Sequence, residues 1–281
     1  MKQSAPRPRR RAVWVLLLLV LAALFLVHQS NTQLDVEEIS VSGADIPDAF
    51  RGFRMVLLSD GHGAQFGKDN KILLAAVRGA NPDLIVYTGD IIDNETQMET
   101  LPPLLMGLSE LAPTYYVSGN HEWAVRKMDT LFSLLKRYGV TPLRNTYVPL
   151  TRGGETIFLC GIDDPNGPAD QKTPQELYQE LTEQEGDCFS ILLAHRNNRF
   201  ETYAACGFDL VLSGHGHGGI LRLPFTDGLI GVDKRLFPTY TNGLYAYGES
   251  QLVVSRGLGN VGRTFRLFNR PHIPVIVLNP G

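Results

Sequence analysis

Five short apolar runs in this chain each stop at side chains of a metal-binding type. They read Leu58-Ser59-Asp60-Gly61-His62, Tyr87-Thr88-Gly89-Asp90, Val117-Ser118-Gly119-Asn120-His121, Leu193-Ala194-His195 and Leu212-Ser213-Gly214-His215-Gly216-His217. An unbroken apolar run, unlike an alternating one, suits a strand covered on both faces. Strands of this kind separated by amphipathic stretches argue for an α/β architecture. The predicted strands are Met55 to Leu58, Leu84 to Tyr87, Thr114 to Val117, Thr156 to Cys160, Phe189 to Leu193, Leu210 to Leu212, Leu252 to Ser255 and Val275 to Leu278. Helices are expected from an Asp69 cap through Arg78, around Glu99 to Glu110 with an early break at Pro102-Pro103, and from Asp129 to Tyr138. Two more fill 174 to 184 and 198 to 205. No internal repeat or low-complexity linker divides the body, which reads as one domain.

In open α/β sheets, ligands bind beyond the carboxyl ends of the strands. The five strand ends therefore point to one crevice, and the glycines beside them let the backbone turn sharply and hold ligands close together. Five of the seven histidines lie there, at 62, 121, 195, 215 and 217, while His28 and His272 fall outside the pattern. A single histidine at a strand end is usually a satisfied structural residue. Five placed alike, with two aspartates and an asparagine, point to a shared site. Imidazole and carboxylate donors without thiolate suit Zn, Mn, Fe or Ni. One carboxylate can bridge two such ions, and paired ions are a recurring device of phosphoryl chemistry.

Composition narrows the class. A formal net charge of −3 hides an asymmetry, because Lys2, Arg7, Arg9, Arg10 and Arg11 all precede residue 12. The remainder holds 21 basic against 29 acidic residues, a poor footprint for nucleic acid, and no nucleic-acid partner is expected. Cys160, Cys188 and Cys206 have no paired spacing and carry no disulfide or zinc reading.

Residues 1–11 form a basic N-terminus. The apolar run from Ala12 to Val27 has no polar face, which argues against a buried core helix. It follows the basic cluster and precedes the acidic Asp35, Glu37 and Glu38, so the positive-inside rule puts the N-terminus in the cytoplasm and the body across a single membrane span. Without an A-x-A cleavage site after Val27, residues 12–28 read as an uncleaved signal anchor rather than a removed signal peptide. Residues 29–50 are a tether and opening strand, and 51–281 the soluble domain.

The series Asp60-x-His62, Gly89-Asp90, Gly119-Asn120-His121-Glu122, His195 and Gly214-His215-x-His217 resembles the five-motif signature of the calcineurin-like metallophosphoesterases, and most closely their membrane-anchored bacterial branch. The resemblance spans roughly residues 50 to 279 and includes Ser255-Arg256-Gly257-Leu258-Gly259. It implies a two-sheet β-sandwich flanked by helices, the αββα sandwich of that family, here preceded by one transmembrane helix. It further implies two divalent transition metal ions. Asp60, His62 and His217 would hold the first, Asn120, His195 and His215 the second, with Asp90 bridging. His121 would bind no metal and would face the substrate phosphate, stabilising charge or protonating the leaving oxygen. The implied reaction is one-step phosphoester hydrolysis by a metal-bridging hydroxide, with Glu122 and Asp93 as candidate orienting partners.

Three positions depart from the family pattern: Gly61 replaces a larger apolar residue, Gly216 and Ile220 replace Thr and Gln, and Arg196-Asn197 replaces Asn-Pro. Arg196 adds a candidate phosphate contact. The leading expectation is a phosphodiesterase or pyrophosphatase acting on a lipid-linked or cell-envelope phosphate ester. An extracytoplasmic nucleotide or nucleic-acid phosphoesterase is the alternative, and a non-catalytic metal-stabilised scaffold the third reading.

Overall fold

The computed structural model describes residues 8–281 apart from 220, 224, 225, 233, 261 and 263–265. Lys2, Arg7 and Ile220 therefore lie outside the described residues. The chain opens with α1 (Pro8–Thr32), in which Ala12–Thr32 is long and apolar enough to cross a membrane. Those 21 residues rise about 31 Å at ~1.5 Å each, of which the part before Gln29 accounts for about 25 Å, a little less than a hydrocarbon core of ~30 Å.

Two six-stranded sheets follow. The first is built from β1 (Asp35–Gly43), β2 (Arg54–Leu58), β3 (Leu84–Thr88), β4 (Thr114–Val117) and β5 (Val140–Pro142). The second uses β6 (Thr146–Arg152), β7 (Glu155–Gly161), β8 (Ser190–Arg196) and β9 (Leu210–Gly214). A small hairpin, β10 (Leu221–Arg222) and β11 (Gly228–Ile230), precedes β12 (Gly243–Tyr247) and β13 (Ser250–Val254), which return to the second sheet. Finally β14 (His272–Pro280) joins the first. The strand orders are β1-β14-β2-β3-β4-β5 and β12-β13-β9-β8-β7-β6.

Alternation along each strand divides the apolar side chains among three layers. Met55 and Leu57 of β2 face the space between the sheets, where they meet Val86, Leu159, Leu193, Leu212 and Val253. Val56 and Leu58 face outward onto α2 (Lys71–Gly79), α3 (Pro102–Leu111) and α5 (Met128–Arg137). On the other side, Leu192 and Val211 pack under α6 (Pro174–Glu185) and α7 (Phe200–Cys206). Both faces of both sheets are covered, which explains the unbroken apolar runs. The architecture is the expected two-sheet sandwich flanked by helices.

Details differ from the sequence reading. Helix α2 begins at Lys71, because Asp69 and Asn70 both have φ of 56°, and a residue in the left-handed region cannot belong to a right-handed helix. The early break expected at Pro102-Pro103 is a change of helix: a 3₁₀ segment ends at Thr100 and α3 begins at Pro102, with both prolines in its first turn, where the missing N–H costs nothing. Within the stretch assigned to tether and opening strand, β1 pairs with β14 over all nine of its residues.

Candidate metal centre

Ends of β2, β3, β4, β8 and β9 converge as their sequence spacing requires. A helix missed from sequence, α4 (Asn120–Val125), starts where β4 ends and carries Asn120, His121 and Glu122. Five of the eight candidate side chains sit on a backbone with positive φ: Asp60 51°, His62 47°, Asp90 53°, His215 64° and His217 49°. Such residues cost free energy and gather at functional sites. Here the turned backbone aims successive donors at one place. Gly214 is needed for the close approach, since a Cβ there would run into Asp60 and Ser59.

Three donor groups result among the described residues: two with no residue in common, and a third, His62, Asp93 and His121, that shares His62 with the first. Asp60, His62 and His217 bring one ligand atom each within 4.8 Å of one another, and Asp90, His195 and His215 do the same. His62 Nε2 lies 3.1 Å from His217 Nε2, and His195 Nε2 lies 3.1 Å from His215 Nδ1. Asp90 Oδ2 stands between the groups, 3.2 Å from His195 Nε2 and 4.0 Å from His62 Nε2. Asn120 Oδ1 is buried with no hydrogen-bond partner. A buried carbonyl oxygen without a partner is costly, and a cation is the partner the surrounding donors suit. Nδ1 of His195 donates to Thr88 O at 2.8 Å, leaving Nε2 free to face inward. The residues present thus fit two cations.

The electrostatics agree. Burial opposes the charge on Asp90, but the His195, His121 and His62 rings hold its carboxyl well below the usual range. Burial also opposes charge on His195, yet neighbouring Asp90 pushes that ring up to about 10. Burial and the charged His195 push His215 down to about 3. Burial, with Arg266 assisting, takes His217 down to about 3 as well. His215 and His217 are therefore neutral, the form of imidazole a cation binds, whereas His195 must give up a proton to do so.

His121 stands apart. Its Nε2 is 3.9 Å from Asp90 Oδ2 and its Nδ1 is 2.7 Å from Asp93 Oδ1. The bond to Asp93 raises its pKa above the ordinary histidine value, against the opposing effect of burial. Asp93 Oδ1 also meets His62 Nδ1 at 2.6 Å. Glu122 is fully enclosed and accepts backbone N–H groups from Gly119 at 2.7 Å, Asp90 at 3.0 Å, Ile91 at 2.6 Å and Ile92 at 3.3 Å. It clamps the β3 and β4 loops together.

The Arg196 guanidinium forks onto Asp164 through Nε and Nη2 at 2.7 and 3.1 Å, so the residue expected from sequence as a phosphate contact is held in an ion pair. Asp163 accepts from Ser118 Oγ at 2.7 Å and pairs with Arg144. Among the aromatic residues of the 237–247 segment, Tyr240, Tyr245 and Tyr247 join ring contacts with one another or with Phe200, whereas Phe237 is 74 % exposed. Beside His215 opens a cavity of about 330 Å³, walled by Asn197, Arg199, Leu236, Phe237 and Tyr240. Sequence reasoning missed Arg266, which is buried behind His217, because no local pattern ties a lone arginine to a motif some 50 residues away.

The model of one family, described as calcineurin-like phosphoesterase, matches residues 53–219. A metallophosphoesterase of Bacillus subtilis, YkuE, is 32% identical over 253 residues, covering 87% of this chain and 85% of the relative. The phosphodiesterase YaeI of Escherichia coli is 30% identical over 238 residues, 80% of this chain and 82% of its own length. A transmembrane protein with metallophosphoesterase domain from Danio rerio is 29% identical over 285 residues; the match takes in 96% of this chain and 63% of that protein.

Proposed function

The chain belongs to the calcineurin-like phosphoesterase family, and from that premise we propose that it hydrolyses a lipid-linked or cell-envelope phosphate diester or pyrophosphate with two divalent transition metal ions. Asp60, His62 and His217 would hold one ion, Asn120, His195 and His215 the other, and Asp90 both. When bound, such a pair neutralises phosphate charge and acidifies water.

The single observation that carries this reading is the position of Asp90 Oδ2, within 4.0 Å of rings from both donor groups and 3.9 Å from His121. Asp93 accepts from Nδ1 of His121 and favours the charged ring, the form that carries a second proton at Nε2. His121 is placed to stabilise negative charge on the phosphate and to protonate the leaving oxygen. Asp93 orients His62 and His121 together, and Glu122 fixes the backbone that carries Asp90 and Asn120. No protein nucleophile is required: Ser59 and Ser118 hydrogen-bond to Thr88 O and Asp163, and Ser213 is fully buried.

Helix α1 would anchor the protein in the membrane, with the basic residues in the cytoplasm and the catalytic domain outside. An anchored enzyme keeps its site near the bilayer, which favours an envelope ester over a diffusing one. The acidic body argues against long polyanions.

The test uses full-length protein purified in detergent. It should bind two ions of Mn or Zn per chain and cleave an artificial phosphodiester. His121→Ala should keep both ions while turnover falls by about 10²–10⁴-fold; loss of metal in that variant would show the role to be misassigned. Detergent-dispersed phospholipid esters should be cleaved faster than free nucleotides. Equal rates would sink the lipid assignment, and full metal with no hydrolysis of mono- or diesters would mark a scaffold.

A further inference from the structure

The last turn of α1 does not end in solvent. Asn31 Nδ2 donates to Arg266 O at 2.9 Å, and Arg266 N–H donates back to Asn31 Oδ1 at 2.9 Å. Asn260 Nδ2 donates to the same Oδ1 at 2.9 Å. Ser30, itself buried, accepts from Phe268 N–H at 3.0 Å, and Gln29 accepts from Arg270 at 3.2 Å. Every residue from 29 to 31 thus binds the segment 266–270.

Arg266 carries the connection inward. Its side chain is buried, with Nη2 donating to Arg256 O at 2.8 Å and Gly259 O at 2.7 Å, and Nε donating to Asn260 Oδ1 at 3.0 Å. The same Nη2 lies 3.5 Å from His217 Nδ1. Gly259 in turn donates its N–H to Asp60 O at 2.7 Å, and Asn269 Nδ2 donates to His217 O at 2.7 Å. The length of one arginine therefore separates the end of the apolar helix from two residues of the first donor group. A buried guanidinium is expensive unless every N–H finds an acceptor. Here the acceptors are the Asn260 side-chain oxygen and the backbone carbonyls of Arg256 and Gly259, the latter in the loop under Asp60.

We propose that Asn31 and Arg266 are positioning residues that make the last turn of α1 part of the first metal site, so that Asp60 and His217 are held correctly only when that turn is docked. This rests on the reading of Asp60, His62 and His217 as one cation site. It also fixes the height of the site above the membrane by hydrogen bonds instead of by a slack tether. Arg256, in the loop that follows β13, reinforces the arrangement by pairing with Asp35 and Glu37 of β1.

The test compares full-length wild type with Asn31→Ala and Arg266→Met in detergent, titrating Mn²⁺ into metal-free protein and melting the metal-free form. We expect one of the two sites to weaken by about tenfold or more, the other to hold, and the metal-free melting temperature to stay close to wild type. A further variant with residues 13–26 all leucine, which leaves the docking turn intact, should bind both ions normally. Unchanged affinity at both sites in Asn31→Ala would overturn the proposal. So would equal weakening of both sites together with a lower metal-free melting temperature, which marks a purely structural clasp. A wild type that binds two ions yet cleaves no phosphoester would sink the proposed function while leaving this inference standing.

Discussion

Asp93 Oδ1 stands 2.6 Å from His62 Nδ1, which leaves Nε2 as the ring atom facing the candidate metal site. The same oxygen is 2.7 Å from His121 Nδ1, so one carboxylate serves a candidate ligand and a candidate proton donor. Asp93→Ala should weaken metal binding by about 10–100-fold, the usual cost of losing an orienting partner. It should also move the pH profile. As a proton donor His121 would act protonated, so activity would be lost as pH rises through its pKa, and Asp93 is the main cause of that pKa being raised. Removing Asp93 therefore shifts the alkaline limb of kcat to lower pH. Rates measured across pH at saturating metal check this, and an unmoved limb would count against it.

Glu122 makes a separate prediction about stability. Four backbone N–H groups from two loops point at its carboxylate. Glu122→Gln replaces one acceptor oxygen with an NH₂ group that faces N–H donors. Leaving buried donors unpaired costs about 1–3 kcal/mol each, so a loss of about 2–4 kcal/mol is expected in denaturant unfolding of the metal-free protein. A change under about 0.5 kcal/mol would show the clamp to be dispensable.

What was legible in the sequence, and what was not, follows from range. Strands buried on both faces announce themselves, and Thr114–Val117 is bounded as expected. β6 escaped notice because it is a half-exposed edge strand interrupted by Pro149, and α4 because its six residues are too few for a helical period. The candidate ligands were visible because each sits beside a strand end. The role of Glu122 was not, since a charge after a motif looks the same whether it is solvated or enclosed by another loop. Arg266 and Asn31 were invisible for the same reason over a longer distance.

His195 links metal binding to pH. Without metal it is held charged by Asp90, its pKa pushed up to about 10 despite burial. A ligand imidazole must be neutral, so binding expels that proton. The ring is charged throughout the range below about 10, and affinity should therefore rise with pH across neutrality, by about tenfold per unit for one proton. Calorimetry of Zn²⁺ binding in buffers of different ionisation enthalpy should report about one proton released at pH 7 to 8. Release that is absent there would mean that His195 is already neutral or does not ligate.

Gly61 stands where the related pattern has a larger residue, and Tyr87 supplies the reason. Gly61 has no positive φ, so its backbone would accept alanine, but a Cβ would collide with the Tyr87 hydroxyl. That ring is 2 % exposed and packs against Tyr116, leaving it little freedom to retreat. Overpacking of this kind costs about 1–3 kcal/mol. Gly61→Ala should therefore destabilise the protein by that much and disturb metal binding through its neighbours Asp60 and His62. Tyr87→Phe deletes the clashing oxygen, so in the double variant most of the loss should return. Denaturant unfolding of the two single variants and the double gives the coupling directly, and about 1 kcal/mol or more is expected for residues in contact. Strictly additive losses would mean that Tyr87 does not decide why this position is glycine.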